Sequence, residues 1–482
     1  MGVLSNFEPK EVLYYFEEIT KIPHGSFNCG PIADYLVNFA KERGLEHYRD
    51  EANNVIIIKE ATPGYEDAPA VIIQGHTDMV CQKTPGSDFD FEKDALRLEV
   101  DGDLILAKDT TLGGDDGIAV AYALAVLASD QLEHPRVEVL LTSDEEVGLL
   151  GAEACDLSML QGKMLINIDS EEEGIFLTSC AGGARVNLTL SVSRVMKEGM
   201  AYEVTVQGLT GGHSGTEINK GRANASKLLG RLLLTARKEA EFALETLEGG
   251  QADNVIPRQA SAVVLVEEGD AELFEKAVKE MEDTFKKEQS VADPGLNIKL
   301  VCQGKKEMMV LDRSSMTQTL TVLTMMPDGV QAMSMQIPGL VETSLNLGIM
   351  KLEKEELHLS SAVRSSVGSK KQYMFEQLRT LIEYAGGTMA THGDYPAWEF
   401  VADSHLREVF AETYKDIYGK EAQIEAIHAG LECGILSNKI EGLDCISLGP
   451  DMQGVHTTEE RLSISSTERT WKLLVEALKR LK

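Results

Sequence analysis

The chain has 482 residues, with 46 Lys and Arg against 78 Asp and Glu, a net charge of −32. That excess repels nucleic acid and anionic membranes, so neither is expected as a partner, and it suits a protein that holds divalent cations. Apolar residues at 43% describe a folded chain of two or three domains rather than a disordered one. No apolar run approaches the roughly 18 residues of a transmembrane helix, and the first residues lack the basic start and apolar core of a signal peptide. Seven scattered cysteines without a CxxC pair fit free thiols in a reducing compartment, so the expected location is cytoplasmic.

In chain order, residues 11–20 and 31–43 have helical spacing, and 54–58 and 70–74 read as strands. The second of these, AVIIQ, is the continuous apolar type of a buried parallel sheet. The turn LGGDDG precedes a nearly all-apolar helix at 117–129, followed by strands at 137–142 and 164–168. This alternation predicts an α/β domain with a mostly parallel sheet over residues 1–184. From about 185 the period changes to two: strands are expected at 186–192, 202–208, 261–266 and 297–302, with helices at 222–238 and 271–288. Strands at 318–325, 331–337, 343–350 and 356–363 and a helix at 371–385 then give a similar order of elements again. Residues 185–392 therefore read as an inserted α+β domain made of two related units. The α/β texture returns at 393–482, with helices at 403–418, 430–437 and 466–481 and a strand at 444–448.

Chemically active residues follow the buried strands. Strand 70–74 runs into Gly75-His76-Thr77-Asp78, LGGDDG carries Asp115 and Asp116, and strand 137–142 leads to Asp144-Glu145-Glu146. Strand 164–168 ends at Asp169, and strand 444–448 leads to His456. Strand C-termini of a parallel sheet share one edge, so these groups are expected in one crevice. Crowded carboxylates repel each other, and two divalent cations would compensate them. Two imidazoles, a bridging carboxylate and two terminal carboxylates make a suitable ligand set for zinc. Each signal alone has an ordinary explanation: a structural HxD, acids at a helix start, a DD turn, a surface histidine. Their joint position at strand ends argues for a site.

The stretches HTDMV (76–80), DEEVG (144–148), the Asp115 turn and Asp169 resemble the di-zinc exopeptidase family of glutamate carboxypeptidase, acetylornithine deacetylase and tripeptidase T. IPHGSFN (22–28), GGHSG (211–215), RANA (222–225), DNVIPR (253–258), HAGLECG (428–434) and LGPDMQGVHT (448–457) resemble its aminoacyl-histidine dipeptidase branch, and the likeness runs from end to end. The resemblance implies that His76 and Asp169 bind one zinc, Glu146 and His456 the other, and that Asp115 bridges them. Manganese or cobalt would substitute. It implies that Asp78 orients His76 and that Glu145 is the general base which deprotonates the attacking water and then protonates the leaving amine. Asp116 stands where better-known members carry Asn, and the bond between 115 and 116 is expected to be cis. In the insertion, His213 is implied to stabilise the oxyanion, and Asn254 and Arg364 to hold the substrate's C-terminal carboxylate. His428 and Glu432 are expected to wall the substrate site, Glu432 receiving a free amine.

The expected activity is hydrolysis of unblocked dipeptides, Xaa-His among them. An amidohydrolase of the same fold acting on N-acyl amino acids is the alternative. A catalytically silent binding protein is a third reading, opposed by the complete set of ligands and base. A homodimer is the expected assembly if one forms.

Overall fold

The structure, a computed structural model, describes residues 2–482. They form two compact units: one runs up to Cys180 and resumes over Phe400–Ala426 and Leu431–Lys482, and the other comprises Ala181–Glu399 with Ile427–Gly430. The sequence reading placed the boundaries at 185 and 392. They fall at 181 and 399 because strand Gly182–Ser191 already belongs to the second unit's sheet. Residues 427–430, expected in the first unit, belong to the second.

In the first unit an eight-stranded sheet has the order Glu46–Arg49, Val55–Lys59, Val137–Thr142, Val71–His76, Met164–Asn167, Asp444–Ser447, Ile175–Cys180, Gln423–Ile427. The four central strands, from Val137–Thr142 to Asp444–Ser447, run parallel. Their residues are almost all buried, which is why they read as unbroken apolar runs. Helix Gly114–Ala128 is apolar on every face and buried from Gly114 to Leu127, joining the core with Phe16, Ile73, Val139, Ile166 and Leu474. No helix among the described residues is long and apolar enough to cross a membrane.

The second unit is built on one nine-stranded sheet. Strands Arg194–Gln207, Phe242–Gly249, Ala260–Val266 and Asn297–Leu311, with helices Ala225–Ala236 and Ala271–Glu288, make a β-α-β-β-α-β unit in which the fourth strand lies beside the first. The same arrangement recurs in Gly182–Ser191, Val341–Leu352, Glu356–Ser365 and Thr388–Tyr395, with helices Arg313–Met325 and Gly368–Tyr384. The two copies join edge to edge where Glu248 and Gly249 pair with Lys351 and Met350. One copy is nested in the other: strand Gly182–Ser191, read from sequence as the start of the first unit, opens the second copy.

One expected strand is a helix. Residues 318–325 lie in helix Arg313–Met325, where TLTVLT imitates a period of two. The Asp312 side chain caps that helix by accepting from Ser315 N at 2.7 Å, and the buried Met316, Thr319, Leu320 and Leu323 repeat at three and four residues. The expected strand 331–337 is confined to Gly329–Met333.

Candidate active site

The parallel strands bring the predicted residues of the first unit together. His76 ends its strand with its side chain 1% exposed, and its Nε2 lies 3.0 Å from Asp115 Oδ1 and 3.9 Å from Asp169 Oδ1. His456 Nε2 lies 3.0 Å from Asp115 Oδ2 and 2.9 Å from Glu146 Oε1. The two oxygens of one carboxylate therefore face two different imidazoles, as a bridging ligand requires. Ligand atoms of His76, Asp116 and Asp169, of His76, Glu145 and Glu146, and of Asp115, Glu146 and His456 form three groups, each within 4.8 Å. Asp116 Oδ2 accepts from the amide of His76 at 3.1 Å, so it braces the strand end, while Asp115 alone reaches both histidines. The peptide bond between Asp115 and Asp116 is cis, as the resemblance implies.

Asp78 is fully buried and organises the other side of the cluster. It accepts from Ser26 Oγ at 2.7 Å, from the amide of Glu145 at 2.9 Å and from that of Glu146 at 3.3 Å. Its Oδ1 lies 3.5 Å from His76 Nδ1 and its carbonyl oxygen 3.0 Å from the same nitrogen, which leaves Nε2 facing the carboxylates. Burial pushes the Glu145 carboxyl up to about 8, with Glu432, Glu146 and Asp115 adding repulsion. Burial likewise raises Asp169 and Asp116. Burial opposes ionisation of Asp115 too, but hydrogen bonds with His456 and His76 outweigh it and hold that carboxyl low. The carboxyls of Asp115, Asp116, Glu145, Glu146 and Asp169 thus crowd a buried imidazole and a half-exposed one, and Asp116 Oδ1 is left without a partner. This donor set, short of positive charge and mixed in nitrogen and oxygen, fits a pair of divalent cations.

Glu432 sits deeper than the expected wall position. It opens helix Glu432–Lys439 at 0% exposure, and its Oε2 accepts from Gln74 Nε2 at 2.5 Å and from Thr142 Oγ1 at 2.7 Å. Gln74 Oε1 in turn accepts from Asn167 at 2.7 Å. This polar layer crosses three parallel strands, and only the lone Gln inside VIIQGH hinted at it. The other Glu432 oxygen, Oε1, is buried without a partner.

The second unit gathers the remaining candidates from both of its copies. Pairing of Gly212–His213 with Val255–Ile256 places Asn254 beside His213, and Ser214 N donates to the Asn254 carbonyl at 2.9 Å. Asn346 Nδ2 donates to the carbonyls of Asp253 and Val255 at 2.8 and 3.0 Å, gripping the chain on both sides of Asn254. His213 Nδ1 accepts from the amides of Gly215 and Thr216, each at 3.2 Å. The ring proton must then sit on Nε2. Burial and the nearby Arg364 lower the His213 pKa, so the ring stays neutral with one outward donor. Arg364 donates from Nη1 to the Tyr395 hydroxyl at 3.1 Å, and its Nε is buried without a partner. His428 Nε2 lies 2.7 Å from Ser344 Oγ, and burial with Arg364 brings its pKa down to about 3. Ser344, Asn346 and Tyr395 carried no signal in the sequence, since each is an ordinary residue in or beside a strand.

Parallel-strand ends carrying a carboxylate bridge between two imidazoles define a metal-dependent hydrolase of the exopeptidase type. Residues 204–293 match the family model of the peptidase dimerisation domain. The chain is 37% identical to the cytosol non-specific dipeptidase of Escherichia coli, over 100% of this chain and 99% of that protein. Its structure resembles that of aminoacylhistidine dipeptidase from Vibrio alginolyticus with a TM-score of 0.92 and 35% identity, covering 99% and 98% of the two chains. The aminopeptidase PepT of Bacillus cereus shares the fold at a TM-score of 0.57 and 16% identity, over 98% of this chain and 99% of that one. The chain belongs to the cytosol non-specific dipeptidase family of M20 metallopeptidases.

Proposed function

We propose that this metal-dependent dipeptidase hydrolyses small unblocked dipeptides, Xaa-His among them, at a pair of zinc ions. The observation that carries the reading is Asp115, whose two oxygens each meet a different histidine at 3.0 Å. His76 and Asp169 would hold one cation, Glu146 and His456 the other, and Asp115 both; manganese or cobalt would serve in their place. The bound cations supply Lewis acidity and lower the pKa of the attacking water towards neutrality.

The protein's own groups do the rest. Asp78 fixes the ring of His76 and the backbone of Glu145. Glu145 takes the proton of the attacking water and returns it to the leaving amine. His213, neutral with its proton on Nε2, donates to the oxygen of the scissile carbonyl as charge develops there. Arg364 and Asn254 hold the substrate's C-terminal carboxylate, and His428 lines the same region. This reading makes the second unit the source of the oxyanion donor and of the groups that hold the carboxylate. The match to the dimerisation model supports a homodimer, and the name of the Escherichia coli relative together with seven free thiols supports a cytoplasmic location.

The test compares free dipeptides with their N-acetylated counterparts. Free Xaa-His and other dipeptides should be cleaved at least about a hundredfold faster in kcat/KM, because the acyl group adds bulk at the amine end. Preference for the blocked substrates would make the protein a deacylase instead. Chelation should abolish turnover, and restoring zinc, manganese or cobalt should bring it back. Full activity after exhaustive chelation, with metal analysis showing none left, would overturn the metal-dependent reading.

A further inference from the structure

A second buried carboxylate touches the Asp115 turn from behind. Glu460 is 3% exposed, and its two oxygens collect four backbone amides. Oε2 accepts from Leu112 N at 2.7 Å and Gly113 N at 3.1 Å; Oε1 accepts from Gly114 N at 2.7 Å and Asp115 N at 3.4 Å. A carboxylate offers about four lone-pair sites, so this turn saturates it. The turn is shaped to admit it. Gly113 has φ 68°, and a Cβ on Gly114 would stand 3.2 Å from Glu460 Oε1.

Glu460 also shares its loop with a candidate ligand. Met452–Gln453 pairs with Arg461–Ser463 as a hairpin, and Leu462 pairs onward with Ile105. The connecting loop carries His456 at φ 65° and is tightened by Thr457 N donating to Gly454 O and Glu460 N to Thr457 O. One loop therefore grips Asp115 twice: His456 meets its side chain and Glu460 its main chain.

We propose that Glu460 is a positioning residue for the paired cations. It fixes the backbone of residues 112–115 so that both oxygens of Asp115 stay presented, and it locks that turn to the loop bearing His456. This rests on the two-cation reading above, but its test does not depend on turnover.

Glu460→Gln keeps the shape, yet its NH2 group would face two amide donors that need an acceptor. Binding of zinc and of cobalt to the metal-free protein is followed by calorimetry, and the cobalt form by its visible absorption, against wild type and the neighbouring Glu459→Gln. E460Q should bind the weaker of two ions at least about tenfold less tightly and change the cobalt spectrum. Its kcat should fall at least about tenfold with KM nearly constant, and excess metal should restore part of it. E459Q, at a side chain 78% exposed, should match wild type. E460Q with wild-type affinities and spectrum would overturn the proposal, whatever its thermal stability, because Glu460 would then be only a stitch in the fold. Should E460Q fail to fold, Glu460→Asp, which keeps the charge on a shorter arm, is read by the same two measurements and the same criteria. A wild type that binds fewer than two ions would count against the two-cation reading itself.

Discussion

Glu145→Gln should cut kcat on a free dipeptide at least about a hundredfold while both metal content and KM stay near the wild-type values. The substitution preserves the shape of the side chain and removes only its capacity to accept and return a proton. Most of the other acids in the cluster are already engaged. Asp78 is committed to Ser26 and to two backbone amides, and Asp116 braces the amide of His76. Asp115, Glu146 and Asp169 face the two histidines. The Glu145 carboxyl meets its neighbours only through charge, and its backbone is pinned by the 2.9 Å bond from its amide to Asp78. A hundredfold loss corresponds to about 2.7 kcal/mol of transition-state stabilisation, within the range for one general base. The check is a single preparation assayed for turnover and for metal by mass spectrometry. Near-wild-type turnover would make Glu145 a structural acid and send the search for the base elsewhere. Loss of turnover together with loss of metal would make it a ligand instead.

What could be read from the sequence follows from where the information resides. The parallel core of the sheet was legible because its strands are buried on both faces and so are written in unbroken apolar runs such as VIIQ. The residues at the strand ends were legible for the same reason, since the sheet's topology alone puts its C-terminal edge in one place. What no local pattern shows is a partner far away in the chain. Glu460 meets residues 112–115 across some 345 positions, and Glu432 meets Gln74 across 358. The burial of Glu432 could not be read because its neighbours in HAGLECG say nothing about which way the helix start points. Helix Arg313–Met325 was missed because TLTVLT alternates as a strand does, and its Asp312 cap outweighs that pattern only once the helix packs. The nesting of one copy within the other was hidden by strand Gly182–Ser191, which lies between Glu356–Ser365 and Thr388–Tyr395 in the sheet but precedes the whole first copy in sequence.

That nesting bears on how the lid works. Here the second unit holds two copies of the same arrangement in one sheet. The first copy carries His213 and Asn254, and the second carries Arg364 and Ser344, which meets His428. The charge of Arg364 acts on both His213 and His428, so groups from the two copies already face one another within a single chain. We expect His213→Ala to lose at least about a hundredfold in kcat, as removal of an oxyanion donor does. Mixing H213A with E145Q protein, under conditions that exchange subunits, should then leave activity near zero. On the reading that each second unit serves the chain that carries it, both defects would stay in every chain's own site. If lids were exchanged across a dimer, one site in each mixed dimer would combine an intact Glu145 with an intact His213. Random mixing would put half of the dimers in that state with half of their sites repaired, so about a quarter of wild-type activity would return. Recovery at that level would establish action in trans. No recovery, with exchange shown independently by mass-labelled subunits, would establish that this chain completes its active site alone.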